Sequence, residues 1–252
     1  MLYNYHTHTK RCNHAIGEDR EYVENAIQGG LETLGFADHA PYVFPYPDYY
    51  STFRMRTDEL HNYAESVRAL QKEYAKDIRI LLGFELEYYP DLHAEEMKFL
   101  SQVKPDYLIM GQHFMGNEIG TPYAPGIVSD EDFIAYIDQV IEGMKTGHFA
   151  YVAHPDLAGY RHAKEVYEGA YRKLCENAKA LNVPLEINML GLRTNRHYPD
   201  RRFFEIAAQV GNDIVLGADA HEPINVCDNA SEAIARQWTK ELGLHLIEKP
   251  FI

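Results

Sequence analysis

Short apolar runs rich in β-forming residues alternate with amphipathic stretches along the whole chain, and this pattern restricts the possible folds more than any other. Seven runs have the character of buried strands: 2–5, 33–37, 78–86, 107–110, 149–153, 184–187 and 213–216. Seven helical stretches alternate with them: 19–29, 57–76, 92–103, 129–145, 164–181, 200–210 and 228–242. This alternation predicts an α/β fold in which parallel strands form a closed or nearly closed barrel.

The length of the chain fits one domain. A barrel of alternating strands and helices commonly takes about 250 residues, and this chain has 252. The segment 41–56, rich in Pro and Tyr, is the longest interruption of the pattern. We interpret it as a loop over one end of the barrel, so the prediction is a single domain over 1–252. Its six aromatic side chains either wall a pocket or form a structural cluster: Tyr42, Phe44, Tyr46, Tyr49, Tyr50 and Phe53.

Charge and cysteine content exclude several classes of protein. The 24 Lys and Arg residues against 38 Asp and Glu residues give a net charge of −14, which argues against a nucleic-acid partner. No apolar run approaches the roughly 18 residues that span a bilayer, so no membrane association is expected. The cysteines Cys12, Cys175 and Cys227 are odd in number and widely separated, which indicates free thiols and a cytoplasmic location. The oligomeric state is left open.

The 13 histidines are the most informative residues, because many of them follow predicted strands. Six of the seven strand ends carry a His, Glu or Asp, and the carboxyl ends of parallel barrel strands meet at one rim. The residues at or just beyond these ends are His6, His8, His14, Asp38, His39, Glu85, His113, His154, Asp156, Asp219 and His221.

Strand geometry pairs two sets of these residues. Residues i and i+2 of a strand face the same side, so His6 with His8, and Asp219 with His221, can each grip one ion. Imidazole and carboxylate ligands suit zinc, iron or manganese. The alternative is a group of core histidines satisfied by hydrogen bonds, but burying so many converging rings without a partner would be costly. The pattern therefore predicts a metal site at the rim.

The motifs at these strand ends resemble those of the PHP (polymerase and histidinol phosphatase) superfamily, and more narrowly its monofunctional histidinol-phosphate phosphatases. The resemblance covers nearly the whole chain. The matching segments are His6-Thr7-His8, Cys12-Asn13-His14-Ala15, Asp38-His39-Ala40-Pro41, Phe53-Arg54-Met55, Gly83-Phe84-Glu85, Gly111-Gln112-His113-Phe114, Ala153-His154-Pro155-Asp156-Leu157, Glu186-Ile187-Asn188, Gly191-Leu192-Arg193 and Gly217-Ala218-Asp219-Ala220-His221. The fold that the resemblance implies is a single PHP domain, a distorted (β/α)7 barrel.

The resemblance also implies three divalent metal ions. In that scheme His6, His8, Glu85 and Asp219 hold the first ion. Glu85 bridges to a second ion held by His113 and His154. The third ion is held by His14, His39 and His221. Glu87 is the competing carboxylate, because it lies two residues from Glu85 and strand alternation does not separate them.

A site with three divalent ions and two carboxylates is strongly positive and would attract a phosphate dianion. The expected reaction is hydrolysis of a phosphate monoester by metal-activated hydroxide, with no side-chain nucleophile. Arg161 and Arg193 are the predicted substrate-binding residues, because guanidinium groups match phosphate oxygens and both positions match phosphate-binding positions of the family. Arg196 is a third candidate.

Several functions fit these observations. The first is a histidinol-phosphatase that converts L-histidinol phosphate to L-histidinol and phosphate in histidine biosynthesis. The second is a PHP-type phosphoesterase acting on another small phosphate ester, such as a sugar phosphate, a nucleotide or a short oligonucleotide. Two further candidates are a metal-dependent amidohydrolase, which usually needs a bridging Lys that strand 107–110 does not offer, and a non-enzymatic metal-binding protein.

Overall fold

A computed structural model describes residues 1–46, 49–249 and 251–252. Its seven strands are all parallel and lie in two sheets, in the orders β1-β2-β3-β4 and β5-β6-β7. The strands are β1 Tyr3–Asn4, β2 Thr33–His39, β3 Arg79–Leu86, β4 Tyr107–Met110, β5 Leu185–Asn188, β6 Asp213–Gly217 and β7 His245–Leu246. The structure therefore has the predicted α/β class, with a curled parallel sheet.

Eight α-helices connect or follow the strands in the described part of the chain. They are α1 Asp19–Gln28, α2 Leu60–Glu73, α3 His93–Leu100, α4 Asp130–Lys145, α5 Lys164–Leu181, α6 Met189–Arg193, α7 Arg201–Val210 and α8 Asn229–Leu242. Side-chain caps fix several of their starts. Ser129 accepts a hydrogen bond from the backbone N–H of Asp132, and Asp228 accepts one from that of Ser231. The short helix α6 was not predicted.

One predicted strand is replaced by a single bridging residue. Within 149–153, Val152 alone forms bridge pairs, which are parallel and join it to Met110 at the end of β4 and to Leu185 at the start of β5. Ala150, Tyr151 and Ala153 add backbone hydrogen bonds to β4. A further parallel bridge joins Thr7 to Ala220, next to β1 and β6. The seventh strand instead comes from β7, which follows the last helix. The bridges of Val152 connect the two sheets between β4 and β5, and the bridge from Thr7 to Ala220 connects the segments that follow β1 and β6.

The two faces of the strands contact different parts of the core. On β2, Leu34 and Phe36 pack with Tyr22 of α1 and Tyr63 of α2 in the larger apolar cluster. The opposite face belongs to a smaller cluster made of strand and bridge residues: Tyr3, Tyr5, Ala37, Leu81, Tyr107, Ile109, Tyr151, Ala153 and Val215. This alternation follows the two-residue period of a strand and places Glu85, at i+4 from Leu81, on the inner face.

Glycine makes room for tyrosine inside the curled sheet. A Cβ atom at Gly83 would collide with the ring of Tyr107 on β4. The hydroxyl of Tyr107 donates to the carbonyl of Tyr5 at 2.7 Å, which joins β4 to the segment after β1 across the interior. The amino-terminal end of the sheet is thus filled by side chains, and the open end is the one where the strands finish.

Cys12, Cys175 and Cys227 are all free, as the sequence predicts, and Cys12 and Cys175 are buried. In the described residues, we find no helix that combines the length and the apolar composition needed to cross a bilayer.

Candidate metal centre

The predicted ligands converge at the carboxyl ends of the strands. They lie at strand ends or in the short segments that follow them, around a common centre. His113 and His221 are partly buried and His14 is exposed, whereas the other six are buried: His6, His8, His39, Glu85, His154 and Asp219. Seven of the thirteen buried side-chain polar atoms without a hydrogen-bond partner in the described residues belong to this set. They are His6 Nε2, His8 Nε2, His39 Nδ1, Glu85 Oε2, His154 Nδ1, Asp219 Oδ1 and His221 Nε2.

Four of the side chains form a compact group of donor atoms. His6 Nε2 lies 3.7 Å from Glu85 Oε2 and 3.6 Å from Asp219 Oδ1. His8 Nε2 lies 3.5 Å and 3.2 Å from the same two oxygens. Ligand atoms bound at about 2.0–2.2 Å to a tetrahedral ion lie about 3.3–3.6 Å apart, so the spacing fits one ion. All four atoms are buried and lack hydrogen bonds. Because buried polar atoms normally have a partner, this is expected of atoms that bind an ion.

The second oxygen of Glu85 faces a different pair of rings. Glu85 Oε1 lies 2.8 Å from His154 Nε2 and 3.7 Å from His113 Nε2. One carboxylate thus contacts both groups, which is the arrangement expected of a bridging ligand. Glu87, the competing carboxylate, is held by Arg54 and His113 Nδ1 instead.

The third predicted set is less compact. The ring of His14 lies 5.3 Å from that of His39 and 4.7 Å from that of His221, between centroids. Donor atoms of His221 fall within 4.8 Å of those of His8 and His39 in one group, and of Cys12 and His14 in another. The structure therefore brings His14, His39 and His221 together, and it adds His8 and Cys12 as neighbours that the predicted scheme did not include in this set.

Carboxylates behind the rings fix how the imidazoles point. His6 Nδ1 donates to Glu186 Oε1 at 2.9 Å, and His8 Nδ1 to Asp38 Oδ1 at 3.4 Å. Because a carboxylate only accepts, the Nδ1 atoms carry protons, and the Nε2 atoms face the centre, where a bound ion would take the place of a second proton. Glu186 is fully buried on β5, and its second oxygen accepts the backbone N–H of His154. Sequence reasoning missed its role, although an acidic residue between apolar neighbours in a strand was a signal.

Charge interactions within the group are strong. Burial disfavours a charged His6 ring, but the carboxylates of Glu186, Asp219 and Glu85 outweigh this and raise the pKa of His6 to about 10. Burial would raise the pKa of Glu85 and Asp219, yet the surrounding imidazoles hold both well below the ordinary range. For His39 burial dominates, and its pKa falls to about 4. In the metal-free protein, protonated imidazole rings such as that of His6 balance the charge of these buried carboxylates.

The backbone is strained at two of these residues. His154 has a φ of 32° and Asp219 a φ of 45°, in the left-handed region that residues other than glycine rarely adopt. Such conformations cost about 1–3 kcal/mol each and are found mainly at functional sites. Close approach matters at Gly111, where a Cβ atom would collide with the carboxylate of Glu85. The positions of His154 and Asp219 are thus reached at a conformational cost, and Gly111 leaves room for the carboxylate of Glu85.

A cavity of about 640 Å³ opens onto the centre. Besides the predicted ligands His8, His14, His39, Glu85, His113, His154, Asp219 and His221, its lining residues are Thr52, Phe53, Phe114, Tyr123, Leu157, Leu190, Arg196 and Tyr198. The described lining of the cavity therefore combines the predicted ligands with four aromatic rings, two leucines, a threonine and a single arginine.

The three arginines considered from the sequence have different surroundings. Arg161 donates to the carbonyls of Ala158, Tyr160 and His197, and Arg193 donates to Asp228 and to the carbonyls of Ala218 and Asp219. Neither is among the residues that line the cavity, and both guanidinium groups donate to carbonyls of neighbouring loops. Arg196 does line the cavity and donates to the hydroxyl of Tyr198 at 2.7 Å.

The aromatic loop 41–56 contributes partly to the site. Phe53 lines the large cavity beside Thr52. The other five predicted aromatic residues surround a separate cavity of about 260 Å³: Tyr42, Phe44, Tyr46, Tyr49 and Tyr50. Pro47 and Asp48 of this loop lie outside the described residues. Phe53 therefore lies in the wall of the large cavity, whereas the other five aromatic residues cluster around the smaller one.

Comparisons with known proteins agree with the geometry. A probable histidinol-phosphatase of Deinococcus radiodurans is 29% identical over 247 residues, covering 91% of this chain and 90% of that protein. The histidinol-phosphatase of Lactococcus lactis is 25% identical over 258 residues, covering 96% and 91%. The crystal structure of the histidinol phosphate phosphatase from Lactococcus lactis subsp. lactis, complexed with zinc, L-histidinol and phosphate, shares the fold with a TM-score of 0.74 at 22% identity, covering 98% of this chain and 95% of that one.

The family model described as the PHP domain matches residues 4–189, which is most of the chain and includes every predicted ligand from His6 to His154. Asp219 and His221 lie beyond the matched segment but join the same group of donor atoms. The chain therefore belongs to the PHP domain family.

Proposed function

We propose that this protein is a metal-dependent phosphomonoesterase that hydrolyses L-histidinol phosphate to L-histidinol and phosphate. The observation that carries the proposal is the group of buried, unpartnered imidazole and carboxylate atoms that opens onto a cavity with an arginine and aromatic rings. The relatives from Deinococcus radiodurans and Lactococcus lactis match nine-tenths or more of this chain and are named a probable histidinol-phosphatase and a histidinol-phosphatase. These names support L-histidinol phosphate as the proposed substrate.

The metal ligands in this proposal are the nine residues predicted from the motifs. His6, His8, Glu85 and Asp219 would hold one ion, and Glu85, His113 and His154 a second. His14, His39 and His221 would hold a third, with His8 close by. The distances of 3.2–3.7 Å among the first four donor atoms support the first position most strongly. The proposed ions are zinc, iron or manganese, three per chain.

When bound, the ions would supply positive charge for a phosphate dianion and lower the pKa of water so that it can attack at neutral pH. The protein residues have distinct tasks around them. Glu186 and Asp38 hold the Nδ1 protons of His6 and His8, which keeps the Nε2 lone pairs available. Burial of Glu85 and Asp219 excludes competing water from their oxygens. No side chain acts as the nucleophile in this proposal.

Arg196 is the arginine that we assign to the phosphate ester. It lines the cavity, and its hydrogen bond to Tyr198 uses Nη1 and orients the guanidinium fork. Guanidinium groups bind phosphate oxygens in pairs, so the fork suits this ligand. We propose that Arg161 and Arg193, which the motifs predicted as substrate-binding residues, instead brace the loops from which Tyr198 and Asp219 project.

The organic part of the substrate would lie against the aromatic side of the cavity. Phe114 packs on Phe53 and Tyr123, with ring centroids 5.6 Å and 5.4 Å apart. An imidazole ring can stack on this surface and an ammonium group can lie over it. Among the described lining residues, Glu85 and Asp219 are the only carboxylates, and both belong to the metal-binding side. The aromatic rings are therefore the proposed contacts of the histidinol group.

We propose that residues 1–252 form a single PHP domain and that the two sheets make one distorted (β/α)7 barrel. The supporting contacts are the bridges from Val152 to Met110 and Leu185, and the bridge from Thr7 to Ala220. Such closure would bring all strand ends around one axis, as the shared group of ligands requires.

The test of the proposed function is phosphate release by purified protein, before and after chelation and after readdition of Zn²⁺, Mn²⁺ or Fe²⁺. L-Histidinol phosphate would be compared with ethanolamine phosphate, a sugar phosphate and a nucleoside monophosphate. We expect kcat/KM for L-histidinol phosphate to exceed the others by at least about 100-fold, which is about 2.7 kcal/mol of discrimination. Equal rates on all esters would favour a broader phosphoesterase, and no release from any ester would leave a metal-binding protein.

A further inference from the structure

Arg54, in the Phe53-Arg54-Met55 segment, is buried between two carboxylates. Its side chain is 2% exposed. Nη1 and Nη2 each donate to one oxygen of Glu87 at 3.0 Å, and Nε donates to Glu118 Oε2 at 2.8 Å. Nη1 also donates to the carbonyl of Ala40 at 3.0 Å. The paired contact with Glu87 fixes both oxygens of that carboxylate in the plane of the guanidinium group.

Glu87 passes this constraint to the proposed metal centre. Glu87 Oε1 accepts a second hydrogen bond, from His113 Nδ1 at 3.1 Å. The other nitrogen of that ring, Nε2, faces Glu85 Oε1 at 3.7 Å. A carboxylate at Nδ1 decides which nitrogen carries the proton and how the ring is rotated. The orientation of His113 therefore depends on Glu87, and that of Glu87 depends on Arg54.

The other side of Arg54 is attached to the loops over the cavity. Glu118 Oε1 accepts a hydrogen bond from the hydroxyl of Tyr49 at 2.6 Å, which ties the segment after β4 to the loop 41–56. Phe53, next in the chain to Arg54, has its ring centroid 5.5 Å from that of His39 and 5.6 Å from that of Phe114. One buried guanidinium thus lies at the junction of a proposed ligand and two elements of the cavity wall.

Stability alone does not account for this arrangement. Removing an arginine and two carboxylates from water is expensive, and well-packed apolar residues of similar volume are often as stabilising. A lysine would balance the charge, but its single ammonium group does not reproduce the paired contact with Glu87 together with the Nε contact to Glu118. What the guanidinium adds is direction, since it fixes the plane and both oxygens of the carboxylate that holds His113.

We infer that Arg54 is a positioning residue for the proposed second metal position: it fixes Glu87, and Glu87 fixes the proton and the ring orientation of His113. The inference rests on the proposed metal-dependent function. It gives the Phe53-Arg54-Met55 segment a role beyond packing, because Phe53 and Arg54 act on the same cavity from adjacent positions.

The experiment is a Co²⁺ titration of metal-free full-length protein, followed by the visible absorption spectrum of the bound ion and by metal analysis. The variants are Arg54→Lys and, as matched control, Tyr49→Phe, which removes a hydrogen bond to Glu118 on the side away from His113. We expect Arg54→Lys to weaken binding of one equivalent of Co²⁺ by about 10–100-fold and to change the spectrum of that equivalent. Tyr49→Phe should bind with the affinity and the spectrum of the wild type.

Wild-type affinity, stoichiometry and spectrum in Arg54→Lys would overturn the inference and leave the proposed function intact. Equal losses in Tyr49→Phe and Arg54→Lys would also overturn it, because general loosening of the loops would then explain both. If circular dichroism shows that Arg54→Lys does not fold, Glu87→Gln tests the same step and is expected to weaken the same equivalent. A wild-type protein that binds no divalent ion would remove the proposed function together with the inference.

Discussion

At the scale of single residues, unpaired buried atoms are the strongest indication of a bound ion. Each buried polar atom left without a partner costs about 1–3 kcal/mol, so a folded protein rarely collects many of them in one place. Seven such atoms lie on the predicted ligands. Positive φ values at His154 and Asp219 add strain at the same place. Bound ions that accept these lone pairs would offset both costs.

The first prediction concerns Asp219, whose carboxylate reaches His6, His8 and His221 at once. We expect Asp219→Ala to reduce phosphate release from L-histidinol phosphate below about a thousandth of the wild-type rate and to lower metal content by at least one equivalent per chain. His8→Ala should behave alike. The fold should persist, because function rather than stability concentrates at the carboxyl ends of barrel strands.

The measurements are steady-state kinetics, metal analysis and circular dichroism on the same preparations. A variant that keeps near-normal turnover would remove its residue from the catalytic site. Loss of the circular dichroism signal would instead show that the carboxylate is needed to fold the rim.

The second prediction separates the three arginines. Arg196→Ala should raise KM for L-histidinol phosphate at least tenfold, equivalent to about 1.4 kcal/mol, because Arg196 alone of the three lines the cavity. Arg161→Ala and Arg193→Ala should change KM less, since their guanidinium groups donate mainly to backbone carbonyls and to Asp228. Metal content should stay unchanged in Arg196→Ala. A larger rise in KM for Arg161→Ala or Arg193→Ala would restore the assignment made from the motifs.

The sequence predicted which residues meet at the rim, but it did not predict which of two neighbouring carboxylates points to the centre. The i, i+2 rule predicted His6 and His8 on one face. Both lie after the end of β1 at Asn4, and their Nε2 atoms lie near the same two oxygens. The rule did not separate Glu85 from Glu87, because both satisfy it. Their difference comes from Arg54, which lies about thirty residues earlier in the chain and draws Glu87 away from the centre.

At the scale of elements, the strand predicted at 149–153 shows what periodicity cannot predict. Its apolar residues are buried as expected, but only Val152 bridges to its neighbours. The chain turns at once into His154, with its positive φ, and Pro155, which has no N–H to donate to a ladder. The backbone hydrogen bonds to β4 therefore end at Ala153, immediately before a proposed ligand.

The third prediction concerns the segment after β4, which brings Phe114 and Tyr123 together through an antiparallel bridge. Phe114→Ala should lower kcat/KM for L-histidinol phosphate about tenfold and change that for ethanolamine phosphate less than about threefold. An aromatic contact contributes about 0.5–1.5 kcal/mol beyond its area, and only the first ester has a ring to place there. Tyr46→Ala, which alters the smaller cavity, is the matched control and should leave both values unchanged.

Parallel kinetics on the two esters decide this prediction. Equal losses on both would mean that Phe114 supports the site as a whole, and no loss on either would mean that the imidazole lies elsewhere in the cavity.

At the scale of the whole molecule, the protein combines a net charge of −14 with a group of carboxylates buried at the rim. In the metal-free protein these carboxylates are neutralised by protonated imidazoles, as the raised pKa of His6 indicates. A proton and an ion therefore compete for the same ring nitrogen. Metal binding must release that proton, so the affinity for metal and the stability of the fold depend on pH together.

The last prediction follows from the sign of this linkage. The pKa of His6 is about 10 in the folded, metal-free protein, against 6.5 as the ordinary value. Its contribution to stability is complete below pH 6.5 and is lost as pH rises towards 10. His39, with a pKa of about 4, is neutral throughout this window, and Glu85 and Asp219 stay ionised. The metal-free protein should therefore become less stable between pH 6.5 and 10.

The metal-loaded protein should not follow this trend, because its His6 ring is held by the ion without the extra proton. We expect the rise in Tm caused by Zn²⁺ to grow from pH 6.5 to 9.5, corresponding to metal affinity up to about tenfold tighter per pH unit for each proton displaced. Calorimetric unfolding of chelated and loaded samples across this range measures it. A rise in Tm that stays constant or shrinks with pH would show that no such proton is bound, and that the buried carboxylates of the metal-free protein are neutralised in some other way.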